Sequence, residues 1–184
     1  LSMPNKRHIL RSIIVFDASN FYFKLKTLDV PHKSHFDYLK FSQWIAKNTL
    51  LTDKFYAVGE FKAKPTDKKE IRETMAKQQE LIGRIEKDGF IIQLGYLLKT
   101  GGVYHEKGVD VQLAVDIMKG AYLDTYDICY LVSSDTDLLP AIAEAKSRGT
   151  KIVYVGFRHQ VSYALNNQCD ESRLLTKSDI LQFI

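Results

Sequence analysis

The chain has 184 residues, of which 45% are hydrophobic and 26% charged, with a net charge of +4 and a pI near 8.9. Such a chain is long enough to close one real core as a single domain over residues 1–184, and its mild basicity is compatible with a polyanionic partner without requiring one. No apolar run approaches the roughly 18 residues of a membrane span, no secretory h-region opens the sequence, and Cys129 and Cys169 share neither a CxxC nor a Cys/His spacing, which argues against membrane, zinc-site and disulfide-framework classes. A cytoplasmic protein with reduced thiols and no membrane partner is expected. Residues 1–8 read as a tag remnant or flexible lead-in and stay out of the fold argument.

In chain order, residues 12–16 (SIIVF) form an apolar, β-branched run ending at Asp17, and the ASN triplet after it is turn chemistry. Of Tyr22 and Phe23, just beyond that turn, one is expected in the core and either could stack on a base. Residues 36–47 place Phe36, Leu39 and Trp44 at helical spacing, residues 54–61 resume as a strand, and Pro65 separates that strand from a polar segment. Residues 67–87 predict a helix with Ile71, Met75, Ile82 and Ile85 near one face and Gly89 as its stop. A strand follows over 90–98, and Gly101 and Gly102 predict a tight reversal into a short strand at 103–105. After a turn at Gly108, Asp110 opens a helix to about Tyr122, with Val111, Ala114, Val115 and Met118 expected on the inward face. Residues 128–132 read as a buried strand and 133–137 as a turn. Leu138 begins a helix with Pro140 in its first turn, 151–155 is a further strand, and helices are expected around 161–167 and from Ser178. The alternation predicts an α/β fold: a single three-layer sandwich with a mainly parallel central sheet and helices on both faces.

Acidic residues collect at the ends of these elements: Asp17 after the first strand, Asp110 at a helix start, and Asp135 with Asp137 after the central strand. In an open α/β sheet the crevice beyond the carboxyl ends of the strands is where ligands bind. Carboxylates crowded there repel, and a hard divalent cation, Mg2+ or Mn2+, removes that cost while favouring phosphodiester chemistry. Each acid also has a plainer role. Asp110 and Asp137 are suited to helix caps and Asp17 to an Asx-turn, whereas Asp135 neither ends the strand nor begins the helix. Asp116 lies about 120° round the helix from Asp110 and is a candidate fourth carboxylate.

Other chemistries fit less well. The sequence has no GxxxxGK[ST] and no GxGxxG, Ser19 stands where a phosphoaspartate phosphatase would carry a second Asp, and Phe21 breaks DxSxS. A phosphatase acting on small phosphate esters stays open as a third reading. His8, His32, His35, His105 and His159 are scattered. Lys62, Lys64, Lys68, Lys69 and Arg72 cluster around Pro65 beside Phe61, offering charge to phosphates or simply a solvated helix start. Lys107, three residues before Asp110, is placed at the crevice.

Three motifs, FDASN at 16–20, KGVDVQLAVD at 107–116 and SSDTDLLP at 133–140, together resemble the NYN domain family, in its LabA-like branch, within the PIN-like nuclease superfamily. The resemblance covers about residues 13–155. It implies a parallel-sheet α/β domain and a metal-dependent ribonuclease acting on single-stranded RNA, with Asp17, Asp110 and Asp135 as the metal-binding and catalytic acids, Asp137 as an auxiliary acid and Asn20 as an orienting group. Lys107, Ser134, Lys68, Lys69 and Arg72 would face the substrate. The resulting expectation is a divalent-metal-dependent endoribonuclease using Mg2+ or Mn2+. Its alternative is a catalytically inactive RNA-binding or regulatory module of the same fold, and a homo-oligomer is left open.

Overall fold

The computed structural model describes residues 9–60, 66, 68–100 and 103–184. Seven strands form one sheet: β1 (Arg11–Asp17), β2 (Leu50–Glu60), β3 (Ile91–Thr100), β4 (Val103–Lys107), β5 (Ile128–Val132), β6 (Lys151–Phe157) and β7 (Glu171–Leu175), in the order β4-β3-β2-β1-β5-β6-β7. All neighbours pair in parallel except β3 and β4, which form the antiparallel hairpin expected around Gly101 and Gly102, two residues outside the described set. Among the described residues six α-helices lie between the strands, α1 (Ala18–Thr27), α2 (Tyr38–Ile45), α3 (Lys69–Lys87), α4 (Val109–Tyr122), α5 (Leu139–Ser147) and α6 (Tyr163–Gln168), and α7 (Lys177–Leu181) follows β7.

The period-2 alternation of the strands divides their side chains between two cores. Ile14, Phe16, Tyr56 and Val58 face α1, α2, α3 and α7, which contribute Phe21, Phe41, Ile85 and Ile180. Ile13, Val15, Ala57 and Leu131 face α4, α5 and α6, which contribute Leu113, Ile117, Ile142 and Leu165. The first layer is aromatic: Phe21, Tyr38, Phe41, Tyr56 and Phe90 all place their rings 5.5–6.3 Å from that of Phe16. The predicted three-layer sandwich with helices on both faces is therefore the observed architecture. Both cysteines are free and buried, Cys129 in β5 and Cys169 just after α6. Among the described residues no helix is long and apolar enough to cross a membrane.

Three local expectations are corrected. The segment after Asp17 is not an isolated turn but the start of α1, whose Ala18, Phe21 and Leu25 are buried at helical spacing. Tyr22 and Phe23 are 52% and 56% exposed, so neither belongs to the core, and Phe21 is the ring that enters it. In α4 the inward residues are Val109, Leu113, Ile117 and Ala121, while Val111 and Val115 are 68% and 48% exposed. Apolar residues surround most of that helix, so periodicity alone does not choose a face. Packing against β1, β2, β5 and α5 does. Finally, β7 was not anticipated, because ESRLL is a polar, half-exposed edge strand without the apolar run that marks the inner ones.

Candidate metal centre

Strand order reverses between β1 and β5. The chain leaves β1 toward β2, β3 and β4, then returns to lay β5, β6 and β7 on the other side. That reversal is a topological switch point, where the connections diverge to opposite faces and open a crevice at the carboxyl ends of the strands. Asp17 closes β1 on one side of it, and the residues following Val132 of β5 line the other. α4 crosses toward β5 with its amino end at the same rim. Carboxylate oxygens of Asp17, Asp110 and Asp135 there lie within 4.8 Å of one another.

Two of these acids are fixed by a hydrogen-bonded hub. Asp17, only 4% exposed, accepts from the Asn20 N–H through Oδ1 (3.0 Å), which caps α1, and from the Ser133 hydroxyl through Oδ2 (2.9 Å). The same Ser133 Oγ accepts from the Asp135 N–H (3.1 Å), so one buried hydroxyl ties the two acids together. Asn20 Oδ1 accepts from the Ser134 N–H (3.2 Å), joining α1 to the loop after β5. Asp135 Oδ1 in turn accepts from the Asp137 N–H (2.9 Å) and so caps the short 3-10 turn Thr136–Leu138 that leads into α5. Asp17 is thus both a cap and a member of the acidic cluster, as is Asp135.

Asp110 arrives by a different route. Gly108, at φ +85°, is the N-cap of α4, which places Asp110 in the first helical turn rather than at the cap. Its carboxylate there is also favoured by the positive end of the helix dipole. Gly95 on β3 is what lets the helix begin so close to the sheet. A Cβ on it would fall 2.5 Å from Val109 Cγ2 and 2.8 Å from the backbone oxygen of Lys107. On the far side, Tyr154 of β6 is buried and its hydroxyl lies 3.1 Å from both Ser134 Oγ and the Ser162 N–H, bracing the loop that carries Asp135. Its ring passes over Gly156, where a Cβ would come within 2.2 Å of it. Gly95, Ser133, Tyr154 and Gly156 were not singled out from the sequence. Their only local signal was a glycine inside each of two strand patterns.

Other expected site residues are distributed as follows. Asp137 is exposed and lies outside the three-acid cluster, which it supports through its backbone N–H. Ser134 holds Asn20 and Tyr154 through its N–H and hydroxyl. Lys107 ends β4 and is exposed at the crevice rim. Lys68 is the N-cap of α3, Lys69 lies 3.7 Å from Glu73, and Arg72 is exposed. Gln78 of α3 donates to the Gly59 carbonyl near the end of β2 (3.0 Å), so the start of the helix projects beyond that end of the sheet. Phe61, Lys62, Lys64 and Pro65 lie outside the described residues. Asp116 is not in the cluster. Its Oδ1 accepts from Gln112 (3.1 Å), and its Oδ2 is buried without a hydrogen-bond partner among the described residues. Burial raises the pKa of that carboxyl above the ordinary carboxylate range, partly offset by Gln112.

Two unit charges held 4.8 Å apart repel by about 3.5 kcal/mol at an effective dielectric of about 20, so the three acids together strongly favour a cation. A set of three carboxylates suits a hard divalent ion with oxygen preference, and Asp17, already accepting two hydrogen bonds, keeps acceptor capacity for one. The donor set therefore fits a hard divalent cation.

Fold and site together define a doubly wound α/β domain with an acidic, metal-competent crevice at its switch point. The NYN domain model matches residues 11–176, and the chain belongs to the NYN domain family, a PIN-like group for which nuclease activity is the general expectation. An uncharacterized protein of Methanocaldococcus jannaschii is 40% identical over 62 residues, a match spanning 34% of this chain and 26% of that protein. A crystal structure of a protein of unknown function from Vibrio parahaemolyticus superposes with a TM-score of 0.69 at 19% identity, covering 93% of this chain and 96% of the other, and so shares the fold.

Proposed function

We propose that this domain is a divalent-metal-dependent endoribonuclease of the LabA-like branch, hydrolysing phosphodiester bonds of single-stranded RNA. The observation that carries the reading is the convergence of Asp17, Asp110 and Asp135 from three separate elements within 4.8 Å at the switch point. These three acids would hold Mg2+ or Mn2+. A divalent ion there supplies charge neutralisation and Lewis acidity toward the phosphoryl group.

The chain's own contribution is positional. Ser133 and Asn20 lock Asp17 and the loop carrying Asp135 before substrate arrives, so little reorganisation remains to be done at the moment of reaction. Asp137 stands at the open lip as the auxiliary acid. Lys107 on the rim, and Lys68, Lys69 and Arg72 at the start of α3, offer charge to the phosphates on the β3 side. The exposed rings of Tyr22 and Phe23, two and three residues beyond Asn20, favour a strand whose bases are free to stack.

Purified protein is expected to shorten single-stranded RNA in the presence of Mg2+ or Mn2+ and to stop on chelation. RNA that is retarded in a gel yet stays intact with both metals across a range of pH would instead identify the inactive binding module.

A further inference from the structure

A second set of charged residues lies on the opposite side of the crevice from α3. α1 runs from Asn20 at the acidic centre to its end beside the loops that follow β6 and β7. There a cleft of about 260 Å³ is lined by Leu28, Arg158, His159, Leu175, Thr176 and Lys177. Arg158, His159 and Lys177 are exposed. His159 Nε2 lies 3.0 Å from Thr27 Oγ1, and Lys24 Nζ donates to the Gln160 carbonyl (3.2 Å), so α1 and the 3-10 turn Arg158–Gln160 are stitched together along one wall. Asp179, whose Oδ2 accepts from the Thr176 N–H and hydroxyl at 2.8 and 2.6 Å in the capping box of α7, and Asp29 beside Leu28 are the opposing charges. Lys24, Arg158 and Lys177 outnumber the two by one.

We infer that this cleft is a phosphate-binding subsite for the same RNA strand, holding its backbone a few nucleotides away from the acidic centre. The inference rests on the ribonuclease reading. Its geometry comes from α1: eight residues separate Asn20 from Leu28, which at 1.5 Å per residue is about 12 Å. A centre built of carboxylates repels a polyanion, and cations set back from it on both sides hold the strand without neutralising the acids themselves. No stretch of sequence advertises the cleft, because its cations come from segments more than 130 residues apart at the extremes.

The test uses full-length protein carrying Asp135→Asn so that RNA is bound without being consumed, and compares fluorescence anisotropy with single-stranded oligonucleotides of about 3 and about 10 nucleotides. The parent protein should bind the longer RNA more tightly. Adding Arg158→Glu and Lys177→Glu should weaken binding of the longer RNA by about tenfold, remove most of that length-dependent gain, and reduce the salt slope by about 1.4, the value for two lost single-strand phosphate contacts. The double alanine variant should give the same slope change and guards against a folding defect from the reversed charges. Unchanged affinity and slope in both variants, with the parent still binding RNA, would overturn the cleft alone. Failure of the parent and of wild type to bind RNA of any length would overturn the ribonuclease reading and the cleft with it.

Discussion

Strands β1 and β5 carry acids at both of their ends, and the two ends treat them differently. At the amino end Asp124 and Asp127 flank Arg11, whose Nη2 lies 2.8 Å from a carboxylate oxygen of each, while its backbone N–H donates to Asp127 Oδ2 at 2.7 Å. Hydrogen bonds to Asp127 and then Asp124 raise the guanidinium's pKa further above its already high value. At the carboxyl end Asp17, Asp110 and Asp135 gather with their oxygens within 4.8 Å of one another, Asp17 accepting from Ser133 Oγ and the Asn20 N–H and Asp135 from the Asp137 N–H. Where a guanidinium divides the acids, they pin a strand end. Where carboxylate is arranged against carboxylate, electrostatic energy is stored that a cation would release.

The sharpest way to break this contrast is Asp135→Asn. Asparagine keeps an acceptor for the Asp137 N–H but removes one charge from the cluster, so RNA cleavage should fall by about 10²–10³-fold, the scale for deleting one preorganised electrostatic group. Metal-free protein should meanwhile become slightly more stable. Wild type should gain ~2.7 kcal/mol at a hundredfold excess of Mn2+ over Kd, and the variant much less. Thermal melts with and without Mn2+ check both statements, and equal metal-induced shifts in the two proteins would remove Asp135 from the metal site.

Gly95→Ala tests whether the cluster depends on the seating of α4. The added methyl meets backbone at 2.8 Å as well as Val109, so it cannot be relieved by a rotamer change, and a loss of about 1–3 kcal/mol is expected. Activity per folded molecule should drop as well, since Asp110 moves with the helix start. A destabilised protein with normal turnover would separate the fold from the site.

At the other end of the sheet, Arg11→Met should lower Tm by about 2–4 °C. Because the ion pairs are partly exposed, raising the salt concentration should narrow the difference. The metal-induced shift should be unchanged, which distinguishes a structural acid group from the candidate site.

Asp116→Asn is expected to have the smallest effect, and its sign follows from linkage. Burial raises the carboxyl's pKa in the folded protein, so ionisation costs stability as pH rises through that value. Asparagine removes the cost. The variant should be more stable than wild type at neutral pH, by about 1 kcal/mol or less given its partial exposure, and the advantage should vanish below the carboxyl's ordinary pKa. Melting curves across pH 3 to 8 read this directly; an advantage that persists at low pH would mean the charge is not its source.

Element order and the three principal acids were readable from local pattern: apolar β-branched runs stop at Asp17 and just before Ser133, and turn chemistry follows each. Other features were not, for reasons visible in individual residues. α1 was hidden because ASN reads as a turn when Asp17 is taken alone, whereas the burial of Ala18, Phe21 and Leu25 needs the sheet beneath them. The inward face of α4 is not legible in the sequence because Val111 and Val115 are as apolar as Leu113 and Ile117, and only packing against β1, β2, β5 and α5 distinguishes them.

The sequence by itself determined the alternation of strands and helices, the placing of acids at element ends and the family to which the chain belongs. Those are local properties, written in spacing and motif. Tertiary structure decided that Asp17, Asp110 and Asp135 share one crevice while Asp116 does not, that Ser133 and Tyr154 brace it, and that Lys24, Arg158 and Lys177 converge two helical turns away. Each of these depends on strand order and helix rotation, and both are set by long-range packing that no single window of sequence contains.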